Sequence, residues 1–368
     1  MDSASSEGSL KIKFSPASRR VDRSRLAEIH ANPGFGVHFT DHMFVAEWTP
    51  QRGWHDARIT EYAPISLDPA TAVLHYAQEI FEGMKAYRHD DGSIWTFRPE
   101  QNGARMARSA RRLALPELPV EDFVTSVDEL VKVEQEWVPD PEGEKSLYVR
   151  PFMFASEKFL GVRPSRHVTY MVIASPAGSY FPGGLKPVSI WLSEDYSRAA
   201  VGGMGAAKTG GNYAASLVAQ QEATEHGCDQ VVFLDAVERT WVEELGGMNL
   251  YFVHDDGTIV TPELSGTILE GITRSSIIEL CRQQGWKVEE RKVSVGEWRE
   301  GVGSGRIREV FACGTAAVVT PVGRLKWRGG EVGGGEDIGP VTQQVRQALV
   351  DIQYGRAEDT FGWMHRVV

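Results

Sequence analysis

Lys208 stands in the stretch Gly202-Gly203-Met204-Gly205-Ala206-Ala207-Lys208-Thr209-Gly210-Gly211-Asn212-Tyr213, a single long amine among residues with almost no side-chain bulk. Glycine lets backbone pass close to a flat ligand, and small neighbours leave an ammonium poorly solvated. Desolvation lowers a lysine pKa and makes the neutral, nucleophilic amine available for Schiff-base chemistry with a carbonyl. The same residues also describe a glycine-rich surface loop with a solvated lysine, the usual state of that side chain. A nucleotide-phosphate loop is excluded. That motif needs a second glycine directly before the lysine, so that consecutive N–H groups wrap the phosphates, and here the position is Ala207.

Two further stretches could hold an anion. Gly266-Thr267-Ile268-Leu269-Glu270-Gly271-Ile272-Thr273-Arg274 leads into Ile277, Ile278 and Leu280, a helix that stops near Gly285, with Thr273 as its expected cap. Free N–H groups and a positive dipole at such an end suit a phosphate. Cys313-Gly314-Thr315-Ala316-Ala317 reads as a tight turn after the apolar strand Val310-Phe311-Ala312, with small residues that could bring N–H groups and a hydroxyl against a charge. Either stretch is equally an ordinary helix start or strand end. His38 and His42 have a spacing that could pair metal ligands on a helix, but their surroundings read as extended and no third ligand is near.

Composition narrows the classes. The chain has 368 residues, 42% hydrophobic and 24% charged, which fits about two soluble globular domains. A formal net charge of −11 argues against a nucleic-acid partner, and the basic cluster Arg105, Arg108, Arg111 and Arg112 is too short to reverse that. Three cysteines, Cys228, Cys281 and Cys313, are odd in number and widely spaced, as in a reducing cytosol. No signal-type N-terminus and no membrane-spanning apolar run is visible, so a cytoplasmic protein is expected.

The elements that must carry these residues are mixed. Phe39 to Trp48 and Trp54 to Tyr62 read as paired strands; Leu147 to Phe154, Val168 to Ala174 and Gln230 to Leu234 read as further strands. Helices are expected from Pro99, from Val120 to Trp137, and from Tyr213 to His226. Proline and glycine between Gly178 and Pro187 mark a connection. The division expected is a flexible segment 1–15, a small α/β domain 16–177, an interdomain loop 178–192 and a large domain 193–368. Strands and helices mix without regular βαβ alternation, which favours an α+β architecture over one doubly wound sheet.

Several of these stretches, with others in the same order, resemble the branched-chain-amino-acid aminotransferases of the class IV pyridoxal-phosphate family. The resemblance runs from about Phe35 to Trp363. Its most specific pieces are Phe35-Gly36 through Thr40-Asp41-His42-Met43, Leu74-His75-Tyr76, and Phe81-Glu82-Gly83-Met84-Lys85-Ala86-Tyr87. To these are added Tyr148-Val149-Arg150-Pro151, Gly178-Ser179-Tyr180-Phe181, Lys208 with Tyr213, Glu244-Leu245-Gly246-Gly247-Met248-Asn249, and Gly314-Thr315-Ala316. The resemblance implies the two-domain D-amino-acid-aminotransferase-like fold (fold type IV). It also implies pyridoxal 5'-phosphate as cofactor and a homodimer in which partner residues, around Tyr76 and after Arg150, reach the site.

Carried over position by position, the resemblance makes Lys208 the Schiff-base lysine and proton shuttle, and Glu244 the partner of the cofactor's ring nitrogen. Tyr213 matches the hydroxyl on the phenolic oxygen, and Arg105, Ile272, Thr273 and Thr315 match the phosphate site. Phe35, Tyr76, Phe81 and Tyr180 match an aromatic wall around a branched side chain. Thr315 and Ala316 match the α-carboxylate site, and Tyr148 and Arg150 the site for the distal carboxylate of glutamate. One departure stands out: mammalian members carry a CxxC pair where this chain has Ala317 and Thr320. The implied reaction moves the amino group of leucine, isoleucine or valine to 2-oxoglutarate. A D-amino-acid aminotransferase or an aminodeoxychorismate lyase shares the fold, and a binding protein on an inactive copy of it is the alternative outside enzymology.

Overall fold

The structure, a computed structural model, describes residues 10–178 and 184–368. The chain divides into two compact units, Met1–Gly178 with Gly362–Val368, and Ser179–Phe361.

The first unit is built on one sheet. Its strands are β1 (Lys13–Phe14), β2 (His42–Thr49), β3 (Gly53–Glu61), β4 (Glu79–Phe81), β5 (Met84–Arg88), β6 (Ile94–Phe97), β7 (Ser146–Ala155) and β8 (Val168–Ala177). They lie in the order β1-β3-β2-β8-β7-β5-β6, with β4 also on β7. Every pairing but β1 on β3 is antiparallel. Among the described residues, four α-helices accompany it: α1 (Arg23–Ala31), α2 (Val73–Tyr76), α3 (Pro99–Arg112) and α4 (Val120–Val133). Pro99 opens α3, where its missing N–H costs nothing. One face of α4 (Phe123, Val127, Leu130, Val131) is fully buried against Phe44, Tyr170 and their neighbours. Covering these side chains contributes about 1.5–3 kcal/mol each.

The second unit holds β9 (Val188–Leu192), β10 (Gln230–Leu234), β11 (Val242–Leu245), β12 (Asn249–His254), β13 (Ile259–Thr261), β14 (Val288–Glu290), β15 (Ile307–Gly314), β16 (Val318–Trp327) and β17 (Gly330–Gly333). Eight of them run in the order β11-β10-β9-β16-β15-β12-β13-β14, and β17 adds to β16. Parallel pairs (β9 with β10, β9 with β16, β13 with β14) stand among antiparallel ones, the mixed sheet of an α+β fold. Its helices are α5 (Gly210–Ala214), α6 (Leu217–Glu225), α7 (Ile272–Gln283), α8 (Val295–Ser304) and α9 (Pro340–Gln353).

A last strand, β18 (Met364–Arg366), pairs antiparallel with β6 and completes the first sheet. This corrects the expected division, which kept everything to residue 368 in the large domain. Strand pairing and the Phe97–Trp363 ring contact decide where the end lies, and neither leaves a mark in local sequence. Two smaller corrections concern the expected segment 1–15, which contributes β1, and the expected loop 178–192, which contains β9. The helix expected from Tyr213 to His226 is two helices. Ser216 donates its hydroxyl to the Tyr213 carbonyl at 2.7 Å and ends α5 before α6 begins.

Candidate active site

In the second unit, Lys208 lies two residues ahead of α5, whose last turn carries Tyr213. The Lys208 ammonium donates to the Tyr213 hydroxyl at 2.8 Å and sits 5.3 Å from the centre of its ring. Asn212 staples the preceding loop, its side-chain amide donating to the carbonyls of Met204 at 2.8 Å and Ala207 at 2.9 Å. The glycine-rich loop is therefore an ordered support for the amine.

Glu244 is on β11 and 2% exposed. Its Oε1 accepts the Leu269 N–H at 2.8 Å and pairs with Arg198 Nη1 at 2.9 Å; Oε2 accepts from Asn249 Nδ2 at 3.4 Å. Burial pushes the Glu244 carboxyl up to about 7, against the pull of Arg198, the Leu269 N–H and Lys208. Arg198, itself buried, donates to the Thr267 carbonyl at 2.9 Å, so the guanidinium is fixed from two sides. Sequence reasoning missed Arg198, which stands in no motif, and no local signal could have found it.

The α7 start differs from the expectation that Thr273 caps it. Gly271 is the N-cap, and Thr273 lies buried in the first turn. A side chain on Gly271 would collide with the Asn249 side chain, which explains why glycine and not a capping residue turns the corner. No cap side chain bonds the N–H groups at this end, so Ile272 and Thr273 begin the helix with donors to offer. Thr315 and Ala316 form the turn between β15 and β16, closed by the Gly314–Val318 pair. Val318 follows at φ 61°, a conformation that costs a β-branched residue of order 1–3 kcal/mol. Cys313 before this turn is buried, and its thiol is pushed up to about 12, which makes it an inert core residue.

The first unit gathers four of the other expected residues. The Phe35 and Tyr148 rings are 5.0 Å apart, Arg150 Nη2 donates to the Tyr148 hydroxyl at 2.9 Å, and the Arg150 guanidinium lies 4.7 Å over the Phe81 ring. Tyr76 is on α2 and donates its hydroxyl to the Leu160 carbonyl at 2.6 Å. Arg105, on α3, is 4% exposed and gives its Nε and Nη2 to the two oxygens of Glu82, both at 2.8 Å. Glu82, which precedes Gly83 in a family-like motif, is the carboxylate that orients Arg105. Tyr180 lies outside the described residues. His42 is buried, its Nδ1 paired with Glu134 and its Nε2 accepting the Ala17 N–H at 2.8 Å, so both ring nitrogens have structural partners.

Known proteins with these features agree. Residues 79–325 match the model of the amino-transferase class IV family. The chain is 60% identical over 356 residues to a probable branched-chain-amino-acid aminotransferase of Streptomyces coelicolor, covering 96% of this chain and 98% of the relative. It is 55% identical to the branched-chain-amino-acid aminotransferase of Mycolicibacterium smegmatis over all of both chains. Among solved structures, the branched-chain amino acid aminotransferase of Escherichia coli superposes with a TM-score of 0.74 at 28% identity, over 89% of this chain and 99% of that one. A T.th. branched-chain amino acid aminotransferase, solved with pyridoxamine 5'-phosphate, gives 0.74 at 29% identity, over 88% and 98%. A lysine on a hydroxyl, a buried acid on an arginine and this breadth of likeness lead to one conclusion: the chain belongs to the class IV aminotransferase family.

Proposed function

We propose that the chain reversibly transfers the amino group of leucine, isoleucine or valine to 2-oxoglutarate, giving the branched 2-oxo acid and glutamate. The observation that carries this reading is the Lys208–Tyr213 contact beside a buried Glu244, in a chain 55–60% identical to proteins named for that activity. The cofactor is pyridoxal phosphate. When bound, it supplies an aldehyde that joins amines and a ring that accepts the electrons of a breaking Cα–H bond.

Three features of this chain fit that group. Glu244, buried and pushed up to about 7, suits a protonated ring nitrogen, at which it holds the proton. The open start of α7 suits a phosphate, with the Ile272 and Thr273 N–H groups and the Thr315 hydroxyl as donors. Arg105 is the proposed charged partner of that phosphate, its fork held by Glu82. Lys208 is the amine that moves the substrate Cα proton, and the Tyr213 hydroxyl fixes where its nitrogen rests.

For the substrate, Phe35, Tyr76, Phe81 and Tyr180 are proposed to wall the aliphatic side chain. Thr315 and Ala316 present N–H groups to the α-carboxylate, and Tyr148 with Arg150 meets the distal carboxylate of glutamate. The homodimer belongs to the same reading. Leu74, Tyr76, Leu160 and Val162 are large apolar side chains exposed on the first unit, at the segments expected to reach a partner's site. A cytoplasmic location fits three free, buried cysteines and the absence, among the described residues, of any helix able to cross a membrane. The test is Lys208→Ala: the yellow absorbance of the lysine-bound cofactor and the transfer from leucine to 2-oxoglutarate are both expected to vanish. Retention of either one refutes the assignment of Lys208.

A further inference from the structure

The second unit contains a cavity of about 260 Å³ lined by none of the residues proposed to touch cofactor or substrate. Its frame is rigid. The Asp235 carboxylate accepts the N–H groups of Val237, Glu238, Thr240 and Trp241, which locks the turn into β11. Trp241 is also bridged to Ser294, and the Lys292 ammonium lies 5.0 Å from the centre of its indole.

Two polar atoms of this frame are buried without a hydrogen-bond partner among the described residues: Glu243 Oε2 and Trp241 Nε1. Glu243 is 5% exposed, and its Oε1 accepts the Thr267 hydroxyl. A buried acceptor without a donor and a buried donor without an acceptor each cost free energy, and native proteins leave few of either. Val201, Pro262 and Ile268 supply an apolar wall; of the other acids in the lining, Asp235 is turned to its four backbone donors and Glu238 and Glu263 are exposed to solvent.

We infer that this cavity binds a free aliphatic α-amino acid, with its ammonium on Glu243, its carboxylate on Trp241 Nε1 and Lys292, and its side chain against Val201, Pro262 and Ile268. A simple amine would satisfy Glu243 and leave the indole N–H orphaned. A simple carboxylic acid would do the reverse and bring a second anion to Glu243. A ligand carrying both charges on an apolar body answers both atoms at once. Burial, opposed by Thr267 and Arg198, raises the Glu243 carboxyl above its ordinary range, and an ammonium beside it restores the charged form.

Occupancy has a route to the reacting centre. Thr267 gives its hydroxyl to Glu243 and its carbonyl to Arg198, and Arg198 pairs with Glu244. The site is thus placed to couple the level of free amino acid to the acid that serves the cofactor.

The test uses the holoenzyme with its cofactor fixed to the protein by borohydride, so that no amino group can transfer. Calorimetric titration with L-leucine is compared with isoamylamine and 4-methylpentanoate, which each lack one of the two charges. Glu243→Gln and Trp241→Phe are each expected to weaken leucine binding about tenfold or more, the size of a lost charge-assisted hydrogen bond. The amine and the acid are expected to bind the unsubstituted protein about tenfold more weakly than leucine. Unchanged leucine affinity in either variant, meaning that the cavity holds water only, overturns the proposal. So does an amine that binds as tightly as leucine.

Discussion

Among the described residues, each unit buries an arginine–carboxylate pair, and the two are built differently. Glu82 in the first unit takes Arg105 Nε and Nη2, the Asn102 amide at 2.8 Å and the Gly83 N–H at 3.4 Å, so its two oxygens are fully engaged. Glu244 in the second unit meets Arg198 through one oxygen, and its other oxygen has only the 3.4 Å contact from Asn249. A saturated carboxylate is a clamp, whereas one with spare capacity and a raised pKa can take another partner. On the proposed reading both pairs serve the cofactor, Glu82 by holding Arg105 and Glu244 by keeping capacity for a further partner.

The strongest way to break that distinction is to remove each acid in turn. Glu244→Ala is expected to lower kcat by on the order of 10²–10⁴, the range for a positioned proton-holding group, and, since it leaves the buried Arg198 unpaired, to lower stability as well. Glu82→Ala leaves Arg105 as an uncompensated buried charge and is expected to cost about 3–5 kcal/mol of stability, read as a lower urea midpoint. If Glu82→Ala lowers the kcat of the folded enzyme as far as Glu244→Ala does, the contrast between the two pairs fails.

A titration sharpens it. The Glu244 carboxyl stands at about 7 in the folded protein, above its ordinary value of 4.5, so between these two values the native state binds the extra proton. Stability therefore falls as pH rises through that window, by about 3 kcal/mol for this fully buried group. Denaturation of the cofactor-free protein at pH 5 and at pH 8 should show this slope, and Glu244→Gln should remove it. Equal slopes in the two proteins would show that Glu244 stays ionised throughout.

How much of this could be read in the sequence follows from the reach of each interaction. Local features were legible: Pro99 opening α3, the apolar face of α4, the paired strands on either side of residue 50, and the small residues around Lys208. What escaped came from partners far along the chain. Glu243 and Glu244 are consecutive acids on a short strand, a pattern that by itself reads as surface. Their burial depends on Thr267 and Leu269, 24 and 25 residues away, and on Arg198. The family resemblance supplied Glu244, since its motif is contiguous. Arg198 stands in no such motif, and neither its pairing with Glu244 nor that of Glu82 with Arg105 leaves a trace in the local pattern.

The smallest expected effect concerns how the first unit positions its polar groups. Gly83 follows Glu82, and a methyl group there would run into the Tyr148 hydroxyl. That hydroxyl accepts from Arg150 Nη2 at 2.9 Å, so Gly83→Ala should push Tyr148 away from Arg150 without touching the Glu82–Arg105 clamp. A charge-assisted hydrogen bond of this kind is worth about 1.5–3 kcal/mol, so the KM for glutamate should rise about tenfold or somewhat more. The KM for leucine, which carries no distal charge, should change much less. Tyr148→Phe removes the same hydroxyl without altering the backbone, and it should reproduce the split. Parallel rises in both KM values would mean that Tyr148 and Arg150 only support the aromatic wall, and that glutamate's second carboxylate is met elsewhere.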